Sequence, residues 1–334
     1  MDVLNWGVLG TARINAQIID VLHSSSRTRV LGIASRTLER AVDCADRWHV
    51  PRAYGDYMSL LADPEVDVIY NSLPNSLHAS WTIEAAAHGK HVLCEKPLAV
   101  SVEEVDDIIA AAQRYGVVIC EALMYRHHPL VLKLKDAVDR GSIGPLAIVR
   151  GAFSFHLRND FDIRLRADLG GGSLYDSGCY PVSLARYLVG CEPREVFGWR
   201  SVGGKGVDVS FAGQMLFSKG CASVYAQFDC GFQGPYRRGI EIVGSDGVIQ
   251  VPNPYKPRIS EFAILNDLGR VREVVRIESA IGSPYRREIE DMADVVSGAS
   301  EPLVSLHDSR CNVATMVSLQ ESALLGRPVT MNEG

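Results

Sequence analysis

The sequence predicts an α/β domain with a doubly wound parallel sheet, followed by an α+β domain built on a large, open, mainly antiparallel sheet. Three observations predict this. Strand and helix signals alternate through the first third of the chain. Near residue 122 the rhythm changes to a series of strands punctuated by turn residues. The 334 residues are also enough for two domains of ordinary size. Residues 1–122 and 123–334 are therefore read as the two domains, with no repeat and no low-complexity linker between them.

In the first domain, Trp6-Gly7-Val8-Leu9-Gly10 reads as a buried strand running into a glycine turn, followed by a helix over 14–22. Strands at 30–34, 66–70, 91–94 and 117–120 alternate with helices at 38–48, 57–61, 80–88 and 102–115. In the second, a helix at 129–140 precedes a strand at 146–155, and a glycine run leads into a helix over 173–188. Strands follow at 195–201, 213–217, 222–228, 239–243, 258–265 and 271–277, before helices at 286–297 and 306–325.

Bulk properties exclude several function classes. At 47% hydrophobic and 22% charged residues, the composition is that of a globular protein with an ample core. A net charge of −6 offers no basic field for nucleic acid. No basic leader precedes the first strand, and no apolar run approaches the ~18 residues of a membrane span, so the expectation is a cytoplasmic protein without a membrane partner. Eight scattered cysteines without a C-x-x-C pair read as reduced thiols. His127-His128 are adjacent and have no third ligand at metal spacing, so no metal site is expected; His88 and His91 read as structural.

Gly10-Thr11-Ala12-Arg13-Ile14-Asn15 sits where the first strand turns into the first helix. A dinucleotide fold holds pyrophosphate at that place, against the unpaired N–H groups of the helix N-terminus. The usual G-x-G-x-x-G spelling survives only at Gly10, so position rather than spelling carries the reading. The second strand ends in Ala34-Ser35-Arg36-Thr37, with Arg40 a turn later. It lacks the carboxylate that would bind a ribose 2′-hydroxyl, while Arg36 and Arg40 suit a 2′-phosphate, which favours NADP(H) over NAD(H). The alternative reading of these arginines is a solvated helix start.

In a parallel sheet, ligands bind at the carboxyl ends of the strands. The segment Asn71-Ser72-Leu73-Pro74-Asn75-Ser76-Leu77-His78 and the segment Glu95-Lys96-Pro97 both follow strands, which places them on the cofactor edge. In Gly170-Gly171-Gly172-Ser173-Leu174-Tyr175-Asp176-Ser177-Gly178-Cys179-Tyr180, a helix would put Asp176 and Tyr180 on one face.

With Met124-Tyr125-Arg126 and Asp162-Ile163-Arg164, these motifs give the chain a resemblance, along essentially its whole length, to the Gfo/Idh/MocA oxidoreductases. Tyr180 is most similar to the branch of glucose–fructose oxidoreductase, 1,5-anhydrofructose reductase and dihydrodiol dehydrogenase; inositol dehydrogenase-like members usually have histidine there. The resemblance implies a Rossmann domain, an open-faced sheet domain and a substrate between them. It implies cofactor contacts from Gly10, Thr11, Ala12, Arg13, Ile14, Ser35, Arg36, Arg40, Ser72, Leu73, Asn75, His78, Glu95 and Lys96, with Arg164 and Tyr285 as further contacts. Lys96, Tyr125, Arg126, Asp176 and Tyr180 are expected at the substrate, and His156 is a further candidate lining residue. The peptide bond before Pro97 is often cis in relatives.

Hydride transfer needs an acid/base at the reacting oxygen. A tyrosine titrates near pH ~10, too high for an efficient base, and a nearby ammonium lowers that value. Tyr180 is therefore expected to exchange the proton, with Lys96 as its electrostatic partner and Asp176 as an orienting acceptor. The expected activity is NADP(H)-dependent oxidation or reduction of a sugar or related cyclic polyol. The alternatives are a nucleotide-ketosugar reductase and a non-catalytic dinucleotide sensor; retention of Lys96 and Tyr180 speaks against a sensor. An open sheet face also predicts a homodimer or homotetramer.

Overall fold

The computed structural model describes residues 3–220, 222–256, 261–277 and 283–331. The chain forms two compact units, Met1–His127 with Gly282–Arg310, and His128–Ile281 with Cys311–Gly334. Residues 123–127 and 282–310 thus group with the first unit, although the change of pattern at 122 assigned them to the second. The reason is packing that secondary-structure rhythm does not report: Arg27 pairs with Glu290 at 3.2 Å and with Asp294 at 2.8 Å, fastening the late helix to the first domain.

The first unit contains β1 (Leu4–Leu9), α1 (Asn15–Ser24), β2 (Thr28–Ala34), α2 (Leu38–Trp48), β3 (Arg52–Tyr54), α3 (Tyr57–Leu61) and β4 (Val68–Asn71). It continues through α4 (His78–Ala87), β5 (His91–Glu95), α5 (Val102–Tyr115) and β6 (Ile119–Ala122). The strands form one parallel sheet in the order β3-β2-β1-β4-β5-β6. The order reverses direction at β1, which is the switch point where such sheets bind ligands. Val68–Asn71 is buried at every residue and Leu4–Leu9 at its last four, as strands covered by helices on both faces require. Helix α5 shows how locally the sequence specifies its elements. The Ser101 hydroxyl accepts the Glu104 N–H, the Glu104 carboxylate accepts the Val100 N–H, and Gly116 ends the helix in the left-handed region.

The second unit contains α6 (Pro129–Asp139), β7 (Leu146–His156), α7 (Cys179–Val189), β8 (Pro193–Val202), β9 (Asp208–Lys219), β10 (Ala222–Gly231) and β11 (Gln233–Gly244). Then come β12 (Gly247–Val251), β13 (Glu261–Asn266), β14 (Val271–Arg276) and, late in the chain, β15 (Val329–Thr330). The nine strands form one sheet ordered β14-β13-β12-β11-β7-β10-β9-β8-β15, antiparallel except where β10 runs parallel to β7. Along β9 burial alternates residue by residue, so one face packs and the other is open. The remaining helices are α8 (Pro284–Val296) and α9 (Leu306–Leu325). Among the described residues no helix is long and apolar enough to cross a membrane. The expected strand over 258–265 begins at Glu261, with 258–260 outside the described residues.

Candidate active site

On the first unit, the carboxyl ends of β1, β2, β4 and β5 share one edge because the strands are parallel. After β1, Gly10 has φ +89°, and a Cβ there would come within 3.0 Å of Leu73 Cδ2, so only glycine makes this turn without strain. Asn15 departs from the small residue usual at this point for a reason the structure supplies. It is fully buried, and its Nδ2 donates to the Gly10 carbonyl at 2.9 Å, closing the turn from within. Thr11, Ala12, Arg13 and Ile14 lead from that turn into α1 and none is buried. These features fit a pyrophosphate against the start of α1.

At the end of β2, Ser35 is buried, Arg36 and Arg40 are exposed, and Arg40 Nη2 donates to Thr11 Oγ1 at 3.0 Å. The phosphate turn and the β2 end are thereby joined, and a cationic pair stands where an acidic residue would otherwise face a 2′-hydroxyl. Ser72 Oγ donates to the Leu9 carbonyl at 2.8 Å, and Leu73 is buried below Gly10, so these two side chains support the edge. Asn75 is half-buried.

His78 differs from the expected cofactor contact. It is buried, with Nδ1 2.7 Å from the Pro97 carbonyl and Nε2 2.7 Å from the Leu73 carbonyl. It therefore ties the Leu73 loop to the Lys96–Pro97 loop. Burial pushes the imidazole below its ordinary pKa, although only the doubly protonated ring can donate to both carbonyls.

Lys96 follows β5 at the same edge, half-buried, and the Lys96–Pro97 peptide is cis. The chain on both sides of it is held. The Glu95 carboxylate accepts the Tyr70 hydroxyl at 2.5 Å, and Glu121 Oε1 accepts the Leu98 N–H at 3.0 Å. Burial, and then the Glu95 charge, push the Tyr70 phenol well above its usual pKa, so it remains a donor. Tyr285 is buried at the start of α8. Tyr125 is completely buried and Arg126 nearly so, with Arg126 Nη1 2.9 Å from Asp308. Those two expected substrate contacts are thus part of the packed interior, because a guanidinium out of water needs its carboxylate.

On the second unit, the Gly170–Tyr180 region is not one regular helix. Leu174–Gly178 is a π-helical turn, and α7 begins only at Cys179. Asp176 lies in the π turn, with Oδ2 2.9 Å from Arg164 Nε, while Asp162 Oδ1 meets Arg164 Nη1 at 3.2 Å. Asp176 and then Asp162 hold the Arg164 guanidinium firmly cationic, against the cost of burial. Arg164 was expected at the cofactor; its clearest role here is to clamp Asp176, though its side chain stays 40% exposed.

Tyr180 is only 5% exposed, its ring 5.2 Å from that of Phe153 and 5.6 Å from that of Tyr255. His156 is exposed at the end of β7.

Asp208, at the start of β9, had no signal in the sequence. Only 3% exposed, it accepts the Ser173 hydroxyl at 2.7 Å, the Leu174 N–H at 2.8 Å and Gln320 Nε2 at 3.1 Å. It anchors the start of the π turn. Gly172 has φ +126°, and a Cβ there would lie 2.3 Å from Asp208 Oδ1, so the carboxylate occupies the space a side chain would need.

Residues 4–123 match the family model of an oxidoreductase family with an NAD-binding Rossmann fold, and residues 131–250 match the GFO/IDH/MocA C-terminal domain. The chain is 34% identical over 328 residues to D-xylose 1-dehydrogenase (NADP(+)) 2 of Haloferax volcanii, covering 98% of this chain and 99% of that protein. It is 34% identical over 287 residues to a dTDP-3,4-didehydro-2,6-dideoxy-alpha-D-glucose 3-reductase of Streptomyces violaceoruber, covering 85% and 80%. Among solved structures, the aldose-aldose oxidoreductase of Caulobacter crescentus complexed with glycerol superposes with a TM-score of 0.88 at 25% identity, covering 98% of this chain and all of that one. A 3-ketoreductase of Actinomadura kijaniata with NADP and TDP-benzene gives 0.87 at 27% identity, covering 96% and 98%. The parallel sheet with its glycine turn, the mainly antiparallel nine-stranded sheet and these matches along the whole length lead to one conclusion: the chain belongs to the Gfo/Idh/MocA family of oxidoreductases.

Proposed function

We propose that the protein is an NADP(H)-dependent oxidoreductase that moves hydride between nicotinamide and a sugar or related cyclic polyol. The observation that carries this reading is the single sheet edge of the first unit, where Lys96 shares the strand ends with the Gly10 turn and the carboxylate-free end of β2. Arg36 and Arg40 would hold the 2′-phosphate, and the start of α1 the pyrophosphate. The bound nicotinamide supplies the hydride chemistry. Lys96 steadies the reacting oxygen and favours the phenolate form of Tyr180, which exchanges the proton; Asp176, fixed by Arg164, orients the group beside it. The reading requires the two units to present Lys96 and Tyr180 to one substrate.

The relatives named xylose dehydrogenase and aldose-aldose oxidoreductase support a free sugar. The deoxysugar reductases support a second reading, a nucleotide-bound ketosugar. We also propose self-association through the open sheet face, where Trp199, Val202 and Tyr225 are each more than half exposed and Tyr225 lines a groove of about 230 Å³. A cytoplasmic location accords with this soluble chemistry.

Fluorescence titration with NADPH and NADH, followed by a panel of free and nucleotide-linked sugars, tests the proposal. Tighter NADPH binding with turnover of a free sugar supports it. Turnover of nucleotide-linked sugars alone selects the second reading, and failure to bind either dinucleotide refutes both.

A further inference from the structure

Glu288 of α8 lies outside every role assigned above. It is 1% exposed, and neither carboxyl oxygen has a hydrogen-bond partner among the described residues. A buried carboxylate without a partner is among the costliest arrangements a protein can hold. The neighbouring groups make the charged form worse. Glu288 lines a cavity of about 10 Å³ together with Glu121 and Cys120 of β6, His127 and Asp291. The nearest imidazole gives no relief, because burial and then Arg126 drive His127 down to a pKa of about 3, leaving it neutral. Burial, then the charges of Glu95 and Asp291, raise the Glu288 pKa well above the carboxylate range. No group of three or more His, Cys, Asp or Glu side chains among the described residues is arranged to hold a metal ion.

The cavity has room for one water molecule, which needs about 10–15 Å³ and two to four polar partners. Its polar lining faces two directions. On one side Glu95, which pairs across the β5–β6 ladder with Ala122, the residue after Glu121, accepts the Tyr70 hydroxyl and immediately precedes Lys96. On the other, Asp291 Oδ2 stands 3.6 Å from His127 Nδ1, and the Asp291 side chain is 26% exposed.

We propose that Glu288 is an uncharged carboxylic acid sharing one internal water with Glu121, His127 and Asp291, and that this site passes protons between the Tyr70–Glu95 pair behind Lys96 and solvent at Asp291. Each step breaks one O–H bond and forms another, with no change of oxidation state. In the outward direction Glu288 gives its proton to the water as it takes another from the Tyr70–Glu95 side, and the water gives one to Asp291, which releases it to solvent; the reverse reaction runs the same steps inward. The role in turnover rests on the function proposed above, since oxidation of an alcohol by a nicotinamide releases one proton that must reach solvent. The site itself does not rest on it.

Infrared difference spectra of the full-length protein without dinucleotide, wild type minus Glu288→Gln, test the site directly. The expected result at pH 7 is a protonated-carboxyl C=O band present in the wild type and absent from the variant. Glu95→Gln removes a neighbouring negative charge and is expected to move the loss of that band to lower pH. On mixing with D₂O the wild-type band is expected to shift quickly, and Asp291→Asn to slow the shift at least tenfold. Absence of the band at pH 7 would overturn the neutral acid. A band whose exchange is unchanged in Asp291→Asn would overturn the connection to solvent. Circular dichroism of each variant shows whether it has folded, and Glu288→Met, which lacks the acid but fills a similar volume, replaces Glu288→Gln if that variant does not. None of these measurements requires turnover, so an inactive enzyme would refute the proposed function while leaving this site standing or falling on its own spectrum.

Discussion

Replacing Asp208 with asparagine tests whether the segment carrying Asp176 and Tyr180 is held from β9. Three donors converge on the two carboxylate oxygens: the Ser173 hydroxyl, the Leu174 N–H and Gln320 Nε2. Asparagine keeps one acceptor oxygen. If that oxygen takes the place of Oδ2, the new amide N–H₂ faces the Gln320 donor. Gln320 cannot simply turn over, because its Oε1 already accepts Arg200 Nη1 at 3.2 Å. One charge-assisted bond is lost outright, worth roughly 1.5–3 kcal/mol, and two others fall to neutral strength at about 1 kcal/mol each. The sum is about 3.5–5 kcal/mol. For a unit of this size a loss of 1 kcal/mol lowers Tm by about 2–4 °C, so a fall of roughly 7–20 °C is expected by calorimetry. Dinucleotide affinity, set on the other unit, is expected to stay unchanged while turnover falls. A Tm within about 2 °C of wild type would refute the reasoning that this carboxylate anchors the turn.

Three further outcomes are expected. Arg36→Ala combined with Arg40→Ala weakens NADPH binding by about 10–100-fold with little effect on NADH, as read by fluorescence titration; equal losses for both cofactors would remove the 2′-phosphate assignment. Tyr180→Phe lowers kcat by about 10²–10⁴-fold with dinucleotide affinity preserved, and near-normal turnover would exclude the hydroxyl as proton carrier. His127, neutral in the fold down to pH about 3, gains its proton near pH ~6.5 when unfolded. Its stabilisation is therefore complete above that value and is lost as pH falls toward 3, at up to about 1.4 kcal/mol per pH unit. Chemical denaturation across that range should show a steeper acid limb than in His127→Gln.

Much of the fold was legible because local signals agree with tertiary demands. Alternating strands and helices, Ser101 and Glu104 at a helix start and Gly116 at its end all speak from within a few residues. Lys96 and the Gly10 turn were legible for the same reason, since strand ends in a parallel sheet define their own edge. What sequence reasoning missed depends on partners far away in the chain. Asp208 acts on residues some 35 positions earlier, with nothing in its own neighbourhood to mark it. His78 looked like a polar residue at a ligand edge, yet the carbonyls that claim it come from two different loops. Arg126 looked available until Asp308 was placed beside it. The short strands β3 and β15 were missed because two or three residues carry no period, and β12 because its first residue completes a turn signal.

The π turn at Leu174–Gly178 has a consequence for how this segment tolerates change in length. A wide turn of this kind amounts to one residue inserted into an α-helix. The wide turn absorbs that residue, because five residues there cover the rotation that four cover in an α-helix, about 400°. Deleting Ser177 would let the backbone relax into an ordinary helix while Cys179–Val189 kept its rotational phase relative to the anchored Ser173. Tyr180 would stay in place although its number in the chain had changed. A second residue lost from the same stretch would find no wide turn left to absorb it, and would swing Tyr180 and everything after it by about 100°.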